Sequence, residues 1–557
     1  MHLRSQLLLI LTYGLLASCN SGRSEEEIFS DATSAQYLGV SIYTSEGQNT
    51  KAVDGWEEEP GETNENAIKS VRFYFFNDNG ESVNINPSTA HSYFDWNASG
   101  NNSLSTDEKI VIPVKPQASF PTQIVAIVNY IPNSNVNTIR GLQDLVENYE
   151  SGRTDEGKFM MSNSVYAKSG NAVIGTSING KFYGSEDKAK QDPVTVHVDR
   201  ILARMDIHFA ETLTRIKENV YDTGIKFKEG ETEKPVYIKL LGWGVTSAPS
   251  KSRLVKSVNG GWTESLFGSK NWNNEANFRS YWAINPAEDK MDYQWYSFTD
   301  LTGKKIDGTD TDKKEGCYGF DVTSLYMQEN ANPLTSGAVE FAAPKNPSAL
   351  IIAGQLIDDQ DKPLEIAEYD SEQFTIDGLK NKIAQELELY TDNDGGNGKR
   401  KISPTDLTFE TSMQHKNQTA GPGLEGTYYS YVVLTSEAKD KTWYSSIEEN
   451  AEVVKDPQAY IKSRIAEPAK VWNKGYTYFF RKIPHVLAQG SNPEYLGVVR
   501  NTIYDVSIKE FTKLGTPVYD PSEKIYPEQP EEGENMLKTE IRVVEWRLAE
   551  QTFQFNW

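Results

Sequence analysis

The stretch PVTVHVDRILARMDIHF, residues 193–209, indicates which kind of structure the chain builds. Valine alternates with other residues in its first half, which is typical of a strand that buries one face. The alternation changes phase at Asp199–Arg200, so the stretch forms either two consecutive strands or one bulged strand. We expect a boundary between two domains near residues 200–220.

Similar patterns recur on both sides of this stretch. AQYLGVSIY (35–43) places Leu38, Val40 and Ile42 on one side of a strand, and PTQIVAIVNYIP (121–132) is a near-continuous apolar run suited to the centre of a sandwich. The 29 tyrosines, 22 phenylalanines and 11 tryptophans also favour strands. Helical spacing is clear only at 136–149. The sequence therefore predicts an all-β protein with a few short helices.

Composition and motifs argue against several classes of function. The net charge of −23, without a Lys/Arg cluster, makes nucleic acid an unlikely partner because phosphate backbones are repelled. None of the six histidines has a paired metal spacing, and the Asp-rich turns lack the glycine and glutamate of an EF-hand loop. GGNGKR (395–400) lacks the Ser/Thr of a phosphate loop. We predict no catalytic, cofactor or metal site, and no enzyme.

The amino terminus has the pattern of an export signal. MHLRSQLLLILTYGLLASCN has a basic start, an apolar run too short to span a membrane, and small residues before Cys19. LASC resembles the bacterial lipobox, in which the signal is cut before the cysteine. Residues 1–18 are then the signal peptide and Cys19 carries the lipid, with palmitate among its acyl chains. The alternative is an ordinary signal with an incidental cysteine. Cys317, the only other cysteine, would have no disulfide partner.

The carboxyl terminus, TEIRVVEWRLAEQTFQFNW (539–557), is an apolar strand pattern that needs cover. Its alternation changes phase at Val543–Val544, which predicts a bulge there or burial on both faces. Residues 517–536 contain four prolines and six acids and are predicted to be a tether. The apolar residues of the terminal segment are Ile541, Val543, Val544, Trp546, Leu548, Phe553, Phe555 and Trp557.

Several segments together resemble the fimbrillin family, in particular the major (shaft) subunit of the short, or minor, fimbriae of Bacteroides-group bacteria, which are type V pili. The matching stretches are LASC, AQYLGVSIY with NTKA, PTQIVAIVNYIP, FMMSNS, VTVHVDRILARM, ALIIAGQL, VVRNTIYDVSIKEFTKLGTP and EIRVVEWRL. The resemblance implies two transthyretin-like Greek-key β-sandwich domains. The implied division is a signal peptide (1–18), a propeptide (19–51), an N-terminal domain (52–212), a C-terminal domain (213–516), a Pro/acid tether (517–536) and donor strands (537–557).

The resemblance also implies a mode of assembly. A trypsin-like surface protease would cut at Lys51–Ala52 and release the lipidated strand that contains Leu38, Val40 and Ile42. The carboxyl-terminal strand of an identical neighbouring subunit would fill the groove, because strand addition repairs exposed edges and the head-to-tail contact propagates as a filament. Family members more often have arginine at the cut, so a lysine-specific or broadly basic protease is expected here.

The implied partners are therefore identical subunits, anchor and tip fimbrial proteins, and the maturing protease. The precursor would be held in the outer membrane through its lipid only, and the mature subunit would lie in cell-surface fimbriae that support adhesion and colonisation. Two other hypotheses stay open. One is a surface glycan-binding lipoprotein that uses the Trp-rich block 262–295, and the other is an anchor or tip component of the same fimbria. A cleavable loop together with a donatable tail favours the shaft.

Overall fold

The structure is a computed structural model that describes residues 35–43, 57–62, 64–86, 91–100, 102–105, 108–117, 119–132, 136–148, 158–168, 171–259, 283–305, 307–332, 343–393, 397–415, 426–486, 494–526 and 536–547. Strands dominate this part of the chain and the helices are short, which confirms the predicted all-β class. The transthyretin-like topology and the division into two Greek-key domains stay predictions.

The first strands run up to the stretch at which the alternation changes phase. They are β1 Gln36–Tyr43, β2 Glu57–Pro60, β3 Ser70–Phe76, β4 Tyr93–Asn97, β5 Ile110–Val114, β6 Gln123–Val128, β7 Val146–Asn148, β8 Met161–Asn163, β9 Tyr166–Lys168, β10 Asn171–Val173, β11 Thr176–Ser177, β12 Phe182–Tyr183 and β13 Val194–Arg200.

The strands of the middle of the chain are β14 Leu202–Phe209, β15 Arg215–Lys217, β16 Val220–Glu229, β17 Thr232–Thr246, β18 Ala248–Pro249, β19 Lys251–Arg253, β20 Tyr293–Gln294, β21 Cys317–Tyr318, β22 Ser324–Gln328, β23 Ala349–Ile357, β24 Ile366–Tyr369 and β25 Glu372–Thr375.

The remaining strands are β26 Tyr390–Asp392, β27 Lys399–Lys401, β28 Leu407–His415, β29 Gly426–Leu434, β30 Trp443–Tyr444, β31 Lys470–Trp472, β32 Tyr476–Lys482, β33 Pro484–Val486, β34 Tyr495–Leu496, β35 Thr502–Phe511, β36 Thr516–Pro517 and β37 Leu537–Arg547.

The α-helices lie between these strands and none exceeds 11 residues within the described ranges. They are α1 Ile139–Gln143, α2 Glu186–Gln191, α3 Phe298–Thr302, α4 Ile376–Glu386, α5 Ser436–Lys439 and α6 Pro457–Arg464, with 3₁₀ turns at Asn64–Asn66, Glu288–Lys290, Pro404–Asp406 and Asn473–Gly475.

The stretch 193–209 forms two consecutive strands that belong to different sheets. β13 lies in a sheet with the order β12-β1-β13-β8-β6-β3-β4, where β5 also pairs with β1 and β11 with β6. β14 lies in the five-stranded sheet β2-β37-β35-β14-β22. The change of phase at Asp199–Arg200 is therefore the passage of the chain from one sheet to the next.

Each of these two sheets covers its own apolar core. The first core lies under the β1 sheet and includes residues of β1, β3, β5, β6 and β13. The second core lies between the five-stranded sheet and a ten-stranded sheet with the order β31-β24-β25-β16-β17-β23-β32-β36, to which β15 and β21 also belong. Val499, Ile503 and Val544, which are distant in sequence, complete the first core. The two halves of the molecule consequently share apolar contacts.

A third core lies within residues 367–469, a segment that the sequence analysis did not separate from its surroundings. Leu379 and Ile383 of α4 pack there with Trp443 of β30 and Ile461 of α6. Thr375 is the N-cap of α4: its side chain accepts a hydrogen bond from the Gly378 N–H at 3.0 Å. Apart from the nine-residue strands β28 and β29, the strands of this module have only two to four residues, too few for an alternating pattern to reveal a separate core.

Two expectations about local structure were wrong. The helix predicted at 136–149 is limited to α1, because the chain leaves the helix at Asp144 and forms β7 against β19. The first part of the predicted tether is also not free. Val518 and Ile525 are buried, and their N–H groups donate to the carbonyls of Tyr476 and Tyr296 at 3.1 and 2.8 Å. The segment begins in the short strand β36, in which Pro517 pairs with Thr477 of β32, and then packs on the core.

Candidate functional site

Strand β1, which contains the predicted removable residues, is an inner strand of its sheet. Residues 36–40 pair antiparallel with β5, while on the opposite edge residues 37–38 pair with β12 and residues 40–43 pair in parallel with β13. Leu38 and Val40 are 0% exposed and Ile42 is 7% exposed. Loss of β1 would therefore leave unpaired backbone on β5 and β13 and an apolar trench between them.

The other face of β1 is covered by helix α2. Gly39 lies so close to this helix that a Cβ atom at this position would be 1.9 Å from the carbonyl oxygen of Ala189. The glycine of AQYLGVSIY is thus needed for close approach of strand and helix rather than for an unusual backbone angle. Ser185 is the N-cap of the helix: its side chain accepts a hydrogen bond from the Lys188 N–H. β1 is consequently enclosed on both faces as well as on both edges.

The carboxyl-terminal strand β37 packs in its own subunit. It pairs antiparallel with β35 from Leu537 to Glu545, with an irregularity between Ile508 and Glu510. The register is continuous at Val543–Val544, so no bulge lies there. The change of phase is instead expressed as burial on both faces: Ile541 and Val543 contact the second core, whereas Val544 belongs to the first.

The exposed face of β37 has three ion pairs to β35. Lys538 Nζ lies 3.7 Å from Glu510 Oε2, Lys509 Nζ lies 2.8 Å from Glu540 Oε2, and Arg542 Nε donates to Asp505 Oδ2 at 2.8 Å. The hydrogen bond from Lys509 lowers the pKa of Glu540. Exposed pairs of this kind contribute little energy singly, but opposite charges on facing strands favour one register.

The segment that follows the predicted cut is also bonded to the carboxyl-terminal strand. Strand β2, Glu57–Pro60, lies parallel to β37 with Glu57 beside Val544 and Pro60 beside Arg547. The composition of this acidic segment does not predict a strand, because Glu and Pro are depleted in strands. Only the long-range pairing with β37 makes it a strand, so no local signal was available.

A buried polar cluster then fixes Glu65, which is 1% exposed. Its carboxylate accepts hydrogen bonds from Arg204 Nη1 at 3.2 Å and from the Tyr326 hydroxyl at 2.8 Å. Burial disfavours the charged guanidinium of Arg204, but hydrogen bonds from it to Asp206 and the charge of Glu65 outweigh this, and its pKa is raised. Burial and the nearby Glu65 carboxylate raise the pKa of Tyr326. Buried charges of this kind need such partners.

Arg200, at the end of β13, joins this cluster to the junction of the two sheets. It is fully buried and donates from Nε to the Glu65 carbonyl at 3.1 Å, to the Asn66 side chain, and from Nη1 to Asn501 Oδ1 at 3.3 Å. Arg204 lies in the next strand, β14, so both arginines of the opening stretch hold the residues just beyond β2. The phase change predicted the boundary, but it did not predict this role.

Two family models match the chain, one near each end. The model of the major fimbrial subunit protein, FimA, matches residues 37–204, and the model of the carboxyl-terminal region of the type IV major fimbrial subunit, fimbrillin, matches residues 470–552. These two parts of the chain are similar to fimbrillins. The first match runs from β1 to the Arg200–Arg204 cluster, and the second includes β35 and β37. The fimbrillin models thus cover the elements that form the site.

Solved structures of fimbrial proteins resemble this chain only distantly. A fimbrillin (fimA) from Porphyromonas gingivalis W83 is 12% identical, with 92% of this chain and 98% of that chain covered and a TM-score of 0.37. The tip fimbrial protein Mfa3 from Porphyromonas gingivalis is 13% identical, with 92% and 100% covered and a TM-score of 0.31. No curated protein matches the chain. The similarity to fimbrillins rests on the two family models, which match residues 37–204 and 470–552.

Several predicted site residues of this chain lie outside the described ranges. They are the lipidation residue Cys19, the predicted scissile pair Lys51 and Ala52, and the terminal residues Leu548, Phe553, Phe555 and Trp557. Trp546 belongs to β37, beside Glu59 in the ladder. Trp262 and Trp272, on which the glycan-binding hypothesis depends, also lie outside these ranges, so that hypothesis stays a prediction.

The described part of the chain contains no group of three or more His, Cys, Asp or Glu residues arranged to hold a metal ion. Cys317 is buried, and burial raises the pKa of its thiol to about 12. A thiol of that pKa is unreactive at neutral pH. Among the helices described, none is both long and apolar enough to be a membrane span.

Proposed function

We propose that this fimbrial subunit polymerises by exchange of strands after proteolysis, as the shaft subunit of a surface fimbria. The observation that supports this most directly is the position of β1, because it is buried on both faces and paired on both edges. A cut at Lys51–Ala52 would separate β1 from β2, after which β1 can leave without unfolding the rest of the chain. A groove eight residues long would then be open to a strand from another subunit.

We further propose that residues 548–557 are the donated part of the carboxyl-terminal segment. β37 itself contributes Leu537, Ile541 and Val544 to two cores, so its removal would expose apolar surface in its own subunit. The residues that follow have an alternating pattern of their own, Phe553, Phe555 and Trp557, with the same spacing as Leu38, Val40 and Ile42. A subunit can thus keep β37 and donate its continuation.

The same proposal includes the maturation steps expected from the sequence. The precursor would be attached to the outer membrane through lipid on Cys19, and the cut would release the mature subunit into fimbriae on the cell surface. The partners would be identical subunits, an anchor and a tip protein, and a protease that accepts lysine. No step requires chemistry by the chain itself, which agrees with the prediction that it is not an enzyme.

The pairing of β37 within its own subunit favours a second candidate, a tip subunit. A tip accepts a strand from the subunit below it but donates none. It would need the removable β1 and would have no use for a free tail, so a fully packed carboxyl terminus would suit it. The two candidates differ in whether residues 548–557 are required for self-assembly.

The test uses lipid-free precursor, residues 20–557, treated with a lysine-specific endoprotease. The readouts are amino-terminal sequencing of the product and ladders that resist sodium dodecyl sulfate on electrophoresis. We expect an amino terminus at Ala52 and a ladder. The uncleavable variant Lys51→Gln is expected to stay monomeric, and a variant that ends at Arg547 is expected to be cut but not to polymerise.

Three outcomes distinguish the hypotheses. If the variant that ends at Arg547 forms the same ladder as the full chain, the assignment of residues 548–557 as the donor is wrong. If the cut full chain never polymerises alone but caps filaments of another subunit, the tip is supported instead of the shaft. A product with a different amino terminus that still polymerises would refute the cut at Lys51.

A further inference from the structure

We propose that the buried hydrogen bonds and ion pair of Glu65 and Asn129 limit proteolytic maturation to a single cut. They do so by protecting the bond after Lys69 from the same protease. This rests on the proposed function, in which the first cut follows Lys51. Residues 52–68 contain no lysine or arginine, so Lys69 is the next possible site for a protease of basic specificity. A cut there would remove β2 and Glu65 from the mature subunit and leave Arg204 and Tyr326 without this carboxylate.

Asn129 holds the backbone on both sides of Lys69. Its side chain is buried, and its Oδ1 accepts hydrogen bonds from the N–H groups of Lys69 at 2.7 Å and Ser70 at 3.3 Å. Its Nδ2 donates to the carbonyls of Ala67 and Phe159, each at 2.8 Å. The residue has a φ of 58°, a left-handed conformation that asparagine tolerates better than most residues.

The backbone at Lys69 is tied on its other side as well. The Lys69 carbonyl accepts a hydrogen bond from the Ala98 N–H at 2.9 Å, and the Ile68 carbonyl accepts one from the Leu104 N–H at 2.9 Å. Ser70 is the first residue of β3, which pairs with both β4 and β6. The bond after Lys69 therefore lies at the start of an inner strand.

Glu65 holds the amino-terminal end of residues 65–70 in place. Four residues before Lys69, its carboxylate is held by Arg204 and Tyr326 and also accepts the Glu62 N–H at 2.6 Å, while Arg200 holds its carbonyl. These partners come from β13, β14 and β22, so strands of two different sheets hold the segment. β2 adds a further hold upstream through its pairing with β37.

Protection follows from the need of a protease for an open, extended segment. Cleavage within a folded region tracks the population of the locally opened state when opening and closing are fast. Opening of residues 65–70 would break the buried ion pair between Glu65 and Arg204 and the hydrogen bond from Tyr326 to Glu65, which makes the open state rare. The bond after Lys69 is then cut slowly although lysine is the correct residue.

The test measures the rate at which a product that begins at Ser70 appears, by mass spectrometry, when lipid-free precursor is treated with a lysine-specific endoprotease. In the unmodified chain we expect this rate to be at least a hundredfold below that of the product that begins at Ala52. Tyr326→Phe removes one hydrogen bond to a charged group and is expected to raise the Ser70 rate about tenfold. Glu65→Gln removes the charge and is expected to raise it further.

The controls separate protection from general unfolding. Glu62→Gln makes the same chemical change at an exposed residue three positions away and is expected to leave the Ser70 rate unchanged. Lys69→Gln in the Glu65→Gln background is expected to abolish the Ser70 product and keep the Ala52 product. Thermal unfolding of each variant identifies global destabilisation, and Tyr326→Phe provides the milder change if Glu65→Gln does not fold.

The outcome is decisive for each idea separately. Equal Ser70 rates in the unmodified chain, Tyr326→Phe and Glu65→Gln would refute the protective role of Glu65, and so would a Ser70 rate in the unmodified chain close to the Ala52 rate. Absence of an Ala52 product would refute the proposed cut after Lys51. Even then, the rates at which the Ser70 product appears, measured in the same samples, would test whether the bond after Lys69 is protected.

Discussion

Replacing Ile541 by alanine tests whether the carboxyl-terminal strand is part of its own subunit. Ile541 lies opposite Val506 in the ladder between β37 and β35, is 7% exposed, and belongs to the second core. If β37 packs as described, Ile541→Ala removes buried apolar volume from a sandwich. If β37 were instead an unpacked tail, the same change would leave the free energy of unfolding of the isolated subunit unchanged.

The expected loss follows from the burial of Ile541. Substitution of a buried isoleucine by alanine costs about 2–5 kcal/mol, including the cavity that is left. β37 is flanked by β35 and the short β2, so partial collapse is possible and we expect about 3 kcal/mol. For a folding unit of 150–250 residues this corresponds to roughly 6–12 °C in melting temperature.

The measurement is calorimetric unfolding of lipid-free, uncut precursor, together with hydrogen exchange of the β35 backbone. Hydrogen exchange is included because a chain with several cores need not unfold in one step, and it reports the opening of this sheet directly. Glu540→Ala is the matched control. Its side chain is exposed beside Lys509, so no measurable change in melting temperature is expected.

The comparison between the two variants decides the question. A shift for Ile541→Ala no larger than that for Glu540→Ala, with unchanged exchange in β35, would contradict packing of β37 in its own subunit. Faster exchange in β35 alone, without a change in melting temperature, would place β37 in a separately opening unit.

Three further predictions concern other parts of the molecule. Gly39→Ala should prevent close contact of β1 with Ala189 of α2 and raise hydrogen exchange throughout β1, whereas Ser41→Ala should not. Asp406 is buried, which by itself raises its pKa, but hydrogen bonds from Arg400 and Ser403 outweigh this and lower the pKa to about 2. The contribution of ionised Asp406 to the free energy of unfolding should therefore be complete above about pH 4 and lost as the pH falls towards about 2. The free energy of unfolding of Asp406→Asn, measured with urea, should lack this pH dependence. Cys317 should react with Ellman's reagent at about pH 8 only after unfolding, because burial raises its pKa to about 12; rapid reaction of the native protein would contradict its burial.

The alternation of apolar residues was enough to predict the all-β class and several strands. AQYLGVSIY and the first half of 193–209 form β1 and β13 because each strand buries one continuous face, which the sequence records as a period of two. The phase change at Asp199–Arg200 likewise marked the passage between two sheets. Lipidation at Cys19 and the cut at Lys51 stay predictions from the sequence.

The partners of each strand were decided only in the tertiary structure. β2 is an acidic segment without strand character, and it becomes a strand because β37 offers an edge to it across almost 500 residues. The burial of β37 on both faces has the same origin, since two residues of this strand, Ile541 and Val544, face different cores. A local pattern reports how many faces of a segment are buried, but long-range pairing depends on which distant edges are left open when the rest of the chain folds.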